Sequence, residues 1–339
     1  MEMKTLPGTE LKMSKPDVRE KIDLDRIMSS AGSCAISGHI RPDGDCIGSC
    51  LGLAMFLRKK YPQVKTDVYL ESIRSELRFM PGTETVITTP AVNGYDVFFC
   101  LDCADAQRLG ENAVLMEKSK LTVCIDHHRT SVPGTDIWFI DPLSASASEI
   151  VAVLIGDEWI DRDIAAALYT GIVTDTGVFR YSSTTPSTMR IAAMLMEKGI
   201  DHSVICEEAF FMKTYAQQQI LGKALLDSVR ILDDRAVYTI VTRQQMEYYQ
   251  VTNADLDGIS SQLRMTSGIH VSVFLSELGP EEYKVSLRSD EKVDVSKIAA
   301  VFGGGGHLRA AGCTVRGTAS EAIEKLSGQI LLQLDPKPE

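Results

Sequence analysis

The stretch Ser37-Gly-His39-Ile-Arg41-Pro-Asp43-Gly-Asp45 puts one imidazole and two carboxylates within seven residues of a chain path bent by proline and glycine, so all three can converge on one point. Three more segments carry groups of the same kind: Asp102 in Leu101-Asp102-Cys103, the triplet Asp126-His127-His128, and Asp175 in Gly171-Ile-Val-Thr-Asp175-Thr-Gly177. Taken singly, each has an ordinary reading: His39 as a turn residue, Asp43-Gly as turn chemistry, Asp126 as a helix cap. Gathered in one place they call for a cation, because unpaired carboxylates repel one another and titrate upward until something positive neutralises them. Mixed imidazole and carboxylate donors suit Mn²⁺, with Zn²⁺, Fe²⁺ and Co²⁺ as competitors, whereas an all-oxygen set would point to Mg²⁺ or Ca²⁺. The donors outnumber what one ion with open positions needs; two ions sharing a bridging carboxylate would use them all.

The elements that must gather them are legible as short apolar runs alternating with helical spacing. Cys34-Ala-Ile-Ser-Gly, Val64 to Leu70, Asp96 to Leu101 and Leu121 to Ile125 read as strands. Val18 to Met28, Ile47 to Arg58, about 146–156, 161–174 and Pro186 to Lys198 read as helices. Apolar strands of this kind imply a mostly parallel, doubly wound sheet covered on both faces, and ligands of such sheets bind outside the carboxyl ends of the strands. His39, Asp102 and Asp126 all fall at such ends. A helix from Ser203 to Ser228, capped by Asp201, reads as a linker. After it the pattern changes to paired strands (Val229 to Leu232, Ala236 to Thr242, Val271 to Leu278, Tyr283 to Leu287), with helices near 243–250, 254–265 and 294–301 and a turn at Leu278-Gly-Pro. The expected architecture is α/β: a metal-binding domain over 17–200, a helical linker over 201–228, and a smaller α/β domain with a mixed sheet over 229–335. Residues 1–16 read as a loose leader.

Composition narrows the function. With 44% hydrophobic and 24% charged residues the 339-residue chain is an ordinary globular protein, long enough for two cores. Its formal charge of −11 argues against long duplex nucleic acid, whose affinity comes from Lys and Arg displacing counterions, but leaves small anions open. No apolar run escapes charges such as Arg58 and Glu149 for long enough to cross a bilayer, and the first residues lack a secretory core, so no membrane association and a cytoplasmic location are expected. Cys100-Leu-Asp-Cys103 has no second cysteine pair to complete a zinc site, and buried thiols are the ordinary reading.

A second set of residues suits phosphate. Gly303–Gly306 reads as a flexible linker, a Walker loop, or a loop whose bare backbone N–H groups point at an anion. The absence of a following Gly-Lys-Ser/Thr excludes the second, and the immediate His307 and Ala-Ala-Gly312 favour the third, with Gly304, Gly305 and Gly306 at the ligand. Arg288, at the end of an alternating strand, can grip a phosphate in bidentate fashion, or make a surface ion pair. Ser289 offers a hydroxyl, His307 a phosphate or base contact, and Arg264 and Arg309 are weaker candidates. Tyr248 and Tyr249 suit base stacking less well than helix packing.

His39-x-Arg-Pro-Asp43-Gly-Asp45, Asp102, Asp126-His127-His128 and Gly171-x-x-x-Asp175-Thr-Gly resemble, in order, the motifs of the DHH phosphoesterase superfamily. Val285-Ser-Leu-Arg288-Ser289 with Gly303-Gly-Gly-Gly306-His307-Leu-Arg-Ala-Ala-Gly312 resembles its DHHA1 substrate-binding domain. Length and domain order are similar to the bacterial nano-RNase and pAp phosphatase branch. The resemblance implies one ion held by His39, Asp43 and bridging Asp102, and another by Asp45, Asp102, His127 and Asp175. It places His128 facing the scissile phosphate and Asp126 behind an imidazole. It also implies Arg108 reaching the substrate, a homodimer, and hydrolysis of very short oligoribonucleotides such as pApA to 5′-mononucleotides, and of pAp to AMP, by a hydroxide activated between two metals. Cyclic-dinucleotide hydrolysis and a non-catalytic nucleotide sensor are the rival readings; the first usually comes with membrane-bound sensory segments, and the second has no need of so many metal-poised groups.

Overall fold

The computed structural model describes residues 17–90 and 94–335. The leader expected over 1–16 lies outside the described residues. Two compact units part between Met212 and Lys213, inside the stretch read as a linker.

The first unit opens with two short helices, α1 (Val18–Lys21) and α2 (Leu24–Met28), where the spacing predicts one; the Asp23 carboxylate accepts from the Arg26 N–H and restarts the chain as a new helix. Then follow β1 (Ser33–Ser37), α3 (Gly44–Lys60), β2 (Lys65–Tyr69), β3 (Val86–Ile87), β4 (Val97–Leu101), α4 (Ala113–Lys118), β5 (Leu121–Asp126) and β6 (Ile137–Ile140). Helices α5 (Ala147–Ile155), α6 (Arg162–Asp175), α7 (Pro186–Glu197) and α8 (His202–Cys206) complete it. The sheet is wholly parallel in the order β3-β2-β1-β4-β5-β6. Its direction of winding reverses between β1 and β4, which opens a crevice at the carboxyl ends of those two strands.

Alternate residues of each central strand bury on opposite faces. Ile36, Phe99 and Ile125 join the large core under α3, α5 and α6, while Ala35, Phe98, Cys100 and Cys124 join a second core beside Leu115 of α4. Cys100 and Cys103 are therefore buried free thiols of that second core.

The helix expected from Ser203 to Ser228 is three pieces: α8, a π-helical turn over Glu207–Phe211, and α9 (Tyr215–Leu226). Thr214 and Gln217 form a reciprocal capping box that starts α9 afresh.

In the second unit, α9 is followed by β7 (Val229–Ile231), β8 (Ala236–Val241), α10 (Arg243–Tyr249), α11 (Ile259–Arg264), β9 (Val271–Gly279), β10 (Glu282–Ser289), α12 (Val295–Val301), β11 (Gly305–His307), β12 (Ala310–Arg316) and α13 (Ala319–Leu334). The sheet order is β11-β12-β10-β9-β8-β7, mixed because only β8 and β9 run parallel. Val273, Leu287 and Val315 face Ile298 of α12 and Leu326 of α13, whereas Val237 and Phe274 face Ile220 of α9, Met246 of α10 and Leu263 of α11. The expected helix 254–265 is a 3₁₀ turn (Asn253–Leu256) and α11, separated by Gly258 at φ +93°. No helix among the described residues is long and apolar enough to cross a membrane.

Candidate metal centre

Each ligand-bearing segment follows directly from its element. The chain leaves β1, turns through Arg41 at φ +54°, and enters α3, whose N-cap is Asp43: its Oδ1 accepts from the N–H groups of Asp45 and Cys46, leaving Oδ2 for the crevice. Asp102 follows β4 in the left-handed conformation at φ +50°, a costly position for a residue with a Cβ and one that clusters at functional sites. Asp126 ends β5 and is followed by the two histidines; Asp175 ends α6.

Hydrogen bonds set which ring nitrogen of His39 and of His128 is committed. His39 Nδ1 donates to the Ile40 carbonyl at 2.8 Å, so Nε2 is the nitrogen left to face the crevice and to ligate once its proton is lost. That Nε2 lies 3.5 Å from Asp102 Oδ2 and 3.7 Å from Asp43 Oδ2. His127 Nε2 lies 3.4 Å from Asp102 Oδ1, 3.4 Å from Asp175 Oδ2 and 3.8 Å from Asp45 Oδ2. The two oxygens of one buried carboxylate thus face two different histidine-centred groups. His128 Nδ1 instead bonds Asp126 Oδ1 at 2.8 Å. Asp126 also accepts from the His127 N–H and from the Ser131 hydroxyl, so its oxygens are committed to orienting protein groups.

Burial and mutual repulsion show in the titration of these groups. Burial, with the Asp102 charge beside it, pushes Asp45 up to about 7, and burial beside Asp45 raises Asp175 well above the carboxylate range. Burial opposes a charged His39, yet Asp102 and Asp43 outweigh it and raise the ring to about 11. In His127 burial is likewise outweighed, chiefly by Asp102, and the ring rises to about 10. Bonding to Asp126 raises His128. Without a cation, the crowded carboxylates are relieved only by protons taken up on the histidines and on Asp45 and Asp175.

The residues fit divalent cations. Asp102 Oδ1 is buried without a hydrogen-bond partner, a costly state for a carboxylate unless a cation satisfies it. Donors ~2.1 Å from a shared ion at octahedral to tetrahedral angles lie roughly 3.0–3.4 Å apart, near the 3.4–3.5 Å spacings of Asp102 with His39 and His127.

Three features escaped the sequence reading. Asp45 is clamped by the N-terminus of α5, accepting from the Ala147 N–H at 2.7 Å and the Ser148 N–H at 2.9 Å, across about a hundred residues of chain. Cys46 lies with His39 and Asp102 in one group of potential ligands. Gly171 lets α6 approach, since a Cβ there would stand 2.8 Å from Asp45 Oδ1 and strike the Ser148 hydroxyl.

Comparison with known proteins agrees with this geometry. Residues 33–172 match the DHH family N-terminal domain, and residues 233–332 match the DHHA1 domain. The bifunctional oligoribonuclease and PAP phosphatase NrnA of Thermus thermophilus is 31% identical over 290 residues, 84% of this chain and 85% of that protein. The protein of the same name from Bacillus subtilis is 28% identical over 87% of this chain and 93% of its own length. The chain belongs to the DHH phosphoesterase family. A crystal structure of an exopolyphosphatase-related protein from Bacteroides fragilis, 27% identical, superposes with a TM-score of 0.82 over 91% of this chain and 94% of that one. As a DHH phosphoesterase the protein is a metal-dependent hydrolase, and the acidic and imidazole groups described above are those that could hold the metal.

In the DHHA1 domain the glycine run differs from the expected loop. Gly305, Gly306 and His307 form edge strand β11, hairpinned to β12, and Gly306 at φ +148° has a backbone that a side chain would resist. An edge strand keeps one row of N–H and C=O groups out of the ladder. Cross-strand register sets Arg288, Ala310 and His307 in one row on one sheet face, and Ser286, Gly312 and Gly305 in the next. Small residues floor the space between the Arg288 and His307 side chains. Ser289 is placed otherwise than expected: its hydroxyl is buried and donates to the Val293 carbonyl at 2.7 Å. Arg264 is also turned inward, donating to the Ile269 carbonyl at 2.7 Å, and Arg309 pairs with Glu291. In the first unit Arg108 is half-exposed, and its carbonyl accepts the Ile40 N–H. Tyr249 packs on the α9–α11 core, whereas Tyr248 is exposed.

Proposed function

We propose that this DHH phosphoesterase hydrolyses very short oligoribonucleotides such as pApA to 5′-mononucleotides, and pAp to AMP, using two divalent cations, with Mn²⁺ preferred. The observation that carries the reading is Asp102: its two oxygens face His39 and His127 separately, which suits a carboxylate shared between two ions. The relatives named as oligoribonuclease and PAP phosphatase support the choice of substrate. His39, Asp43 and Asp102 Oδ2 would hold one ion; Asp45, Asp102 Oδ1, His127 and Asp175 would hold the other. Cations held there would supply Lewis acidity and lower the pKa of a water nucleophile.

The remaining work falls to the chain itself. Asp126, fixed by the His127 N–H and Ser131, holds the His128 ring through Nδ1 and favours its protonated form. His128 Nε2–H is then the donor that stabilises charge on a phosphoryl oxygen. Arg288 and His307 of the DHHA1 domain, flanking the small-residue floor, bind the phosphate and base of a nucleotide.

The test is to incubate the protein with Mn²⁺ and pApA, longer RNA, pAp, cyclic di-AMP, pyrophosphate and bis-p-nitrophenyl phosphate, beside Asp102→Ala and Arg288→Ala. Turnover of pApA and pAp that is lost in Asp102→Ala, with mainly a raised KM in Arg288→Ala, is the expected result. Consumption of pyrophosphate with pApA and pAp untouched would overturn the assignment.

A further inference from the structure

The peptide bond between Ile40 and Arg41 has one end on His39 and the other on Glu71. Its carbonyl accepts from His39 Nδ1 at 2.8 Å, and its N–H donates to Glu71 Oε2 at 2.7 Å. Because a peptide unit is planar and trans, its C=O and N–H point in opposite directions and turn together. Holding the N–H toward Glu71 therefore holds the carbonyl toward His39. That orientation leaves Arg41 left-handed at φ +54°, a conformation that persists in a residue with a Cβ only where its surroundings over-determine it. Flipping this one peptide would return Arg41 to an ordinary negative φ and take the carbonyl away from the imidazole.

Three segments of the first unit converge to prevent the flip. Strand β2 ends at Tyr69 and delivers Glu71 two residues later. The 3₁₀ turn Ala106–Asn112, which follows Asp102, is capped by Asp105, whose carboxylate accepts from the Gln107 and Arg108 N–H groups at 2.9 and 3.1 Å. It sets the Arg108 carbonyl 2.7 Å from the Ile40 N–H. Gly110 of the same turn, at φ +57°, brings its backbone close to the loop: a Cβ there would stand 2.5 Å from Ile40 Cγ2 and 4.0 Å from Glu71 Oε1. Glu71 is exposed, and among the described residues its carboxylate pairs with no lysine or arginine side chain. Its hydrogen-bond partner is the backbone of the His39 loop, so an ion pair does not account for its place.

We infer that Glu71 is a positioning residue for the metal site: through the Ile40–Arg41 peptide it fixes the proton of His39 on Nδ1 and aims Nε2 into the crevice. This rests on the proposed use of His39 as a ligand and deepens it. A carboxylate behind a ligating imidazole commonly sets the ring's tautomer and orientation by direct contact; here one peptide group is the relay. The charge of Glu71 polarises that peptide and makes its carbonyl a stronger acceptor for the His39 proton.

The test measures Mn²⁺ binding at pH 7, by electron paramagnetic resonance of the free ion, in the wild type, Glu71→Ala and Glu71→Gln, with circular dichroism and thermal melting of the metal-free proteins to confirm folding. Glu71→Ala weakens the binding of one ion about tenfold and leaves the other unchanged. Glu71→Gln, which loses the charge but keeps an oxygen that accepts the Arg41 N–H, recovers most of that affinity. Equal losses in the two variants, a loss spread evenly over both ions, or no loss in Glu71→Ala each overturns the inference. A wild type that binds a single ion overturns the two-ion reading instead, which is seen without any variant; the comparison of Glu71→Ala with Glu71→Gln then decides the inference on that ion.

Discussion

At the residue scale the first unit gathers carboxylates whose charge, without a cation, only protons relieve. Asp45 and Asp175 are pushed up, and His39 and His127 are held protonated, because each is the best available answer to the others. A dication bound there would replace those protons. At pH 7 the free protein carries a proton on His39, which rises to about 11, and on His127, which rises to about 10, and part of one on Asp45 at about 7. Ligation requires all three to lose them, so the free form binds more protons than the loaded form and affinity rises with pH through this range. Asp175, also raised, would give up proton occupancy as well, so loading with Mn²⁺ in weak buffer at pH 7 should release more than about two protons per chain, read with an indicator dye; no release would mean that the ions bind elsewhere. The gathering of these Asp and His groups was legible because Asp and His at strand ends are informative as types. The α5 clamp on Asp45 was not, since Ala147 and Ser148 act through backbone N–H groups that any residue would supply. The inward turn of Ser289 and Arg264 was equally hidden: their acceptors are backbone carbonyls, which no side-chain pattern marks.

At the scale of elements, the ligands meet because α3 and α6 pack unusually close. A Cβ at Gly48 would meet the Ala167 carbonyl, and one at Gly171 would reach Asp45 and Ser148. Gly171→Ala therefore drives the helices apart at the ligands. The expected cost is about 1–3 kcal/mol in denaturant unfolding, with a weaker Mn²⁺ affinity in the same protein; unchanged values for both would show that this contact does not position Asp45. Strands β1, β2, β4 and β5 were readable as apolar runs between turn residues. Two-residue β3 is too short to carry a pattern, and β6 exposes Trp138 in an edge position. The interruption of the expected 203–228 helix was in fact written in Thr214-Tyr-Ala-Gln217, a capping box inside a run whose composition otherwise favours one helix. The β11–β12 hairpin was hidden by glycine, which signals a loop to a pattern reader yet here pairs edge to edge.

At the scale of the whole molecule, a charge of −11 does not contradict phosphoesterase activity, because bound cations would supply locally the positive charge that a phosphate ester needs. Dications bound at the crevice would make one positive place on a negative body, which would favour small anions over long polymers whose binding needs an extended basic surface. Central to all of this is Asp102 as a carboxylate shared between two cations. Titrating the metal-free protein with Mn²⁺ and following it by electron paramagnetic resonance tests that directly. The expected result is two ions per chain with an exchange-coupled signal, and loss of the coupling in Asp102→Asn. A single ion per chain, or two uncoupled ions that Asp102→Asn leaves unaltered, would contradict it.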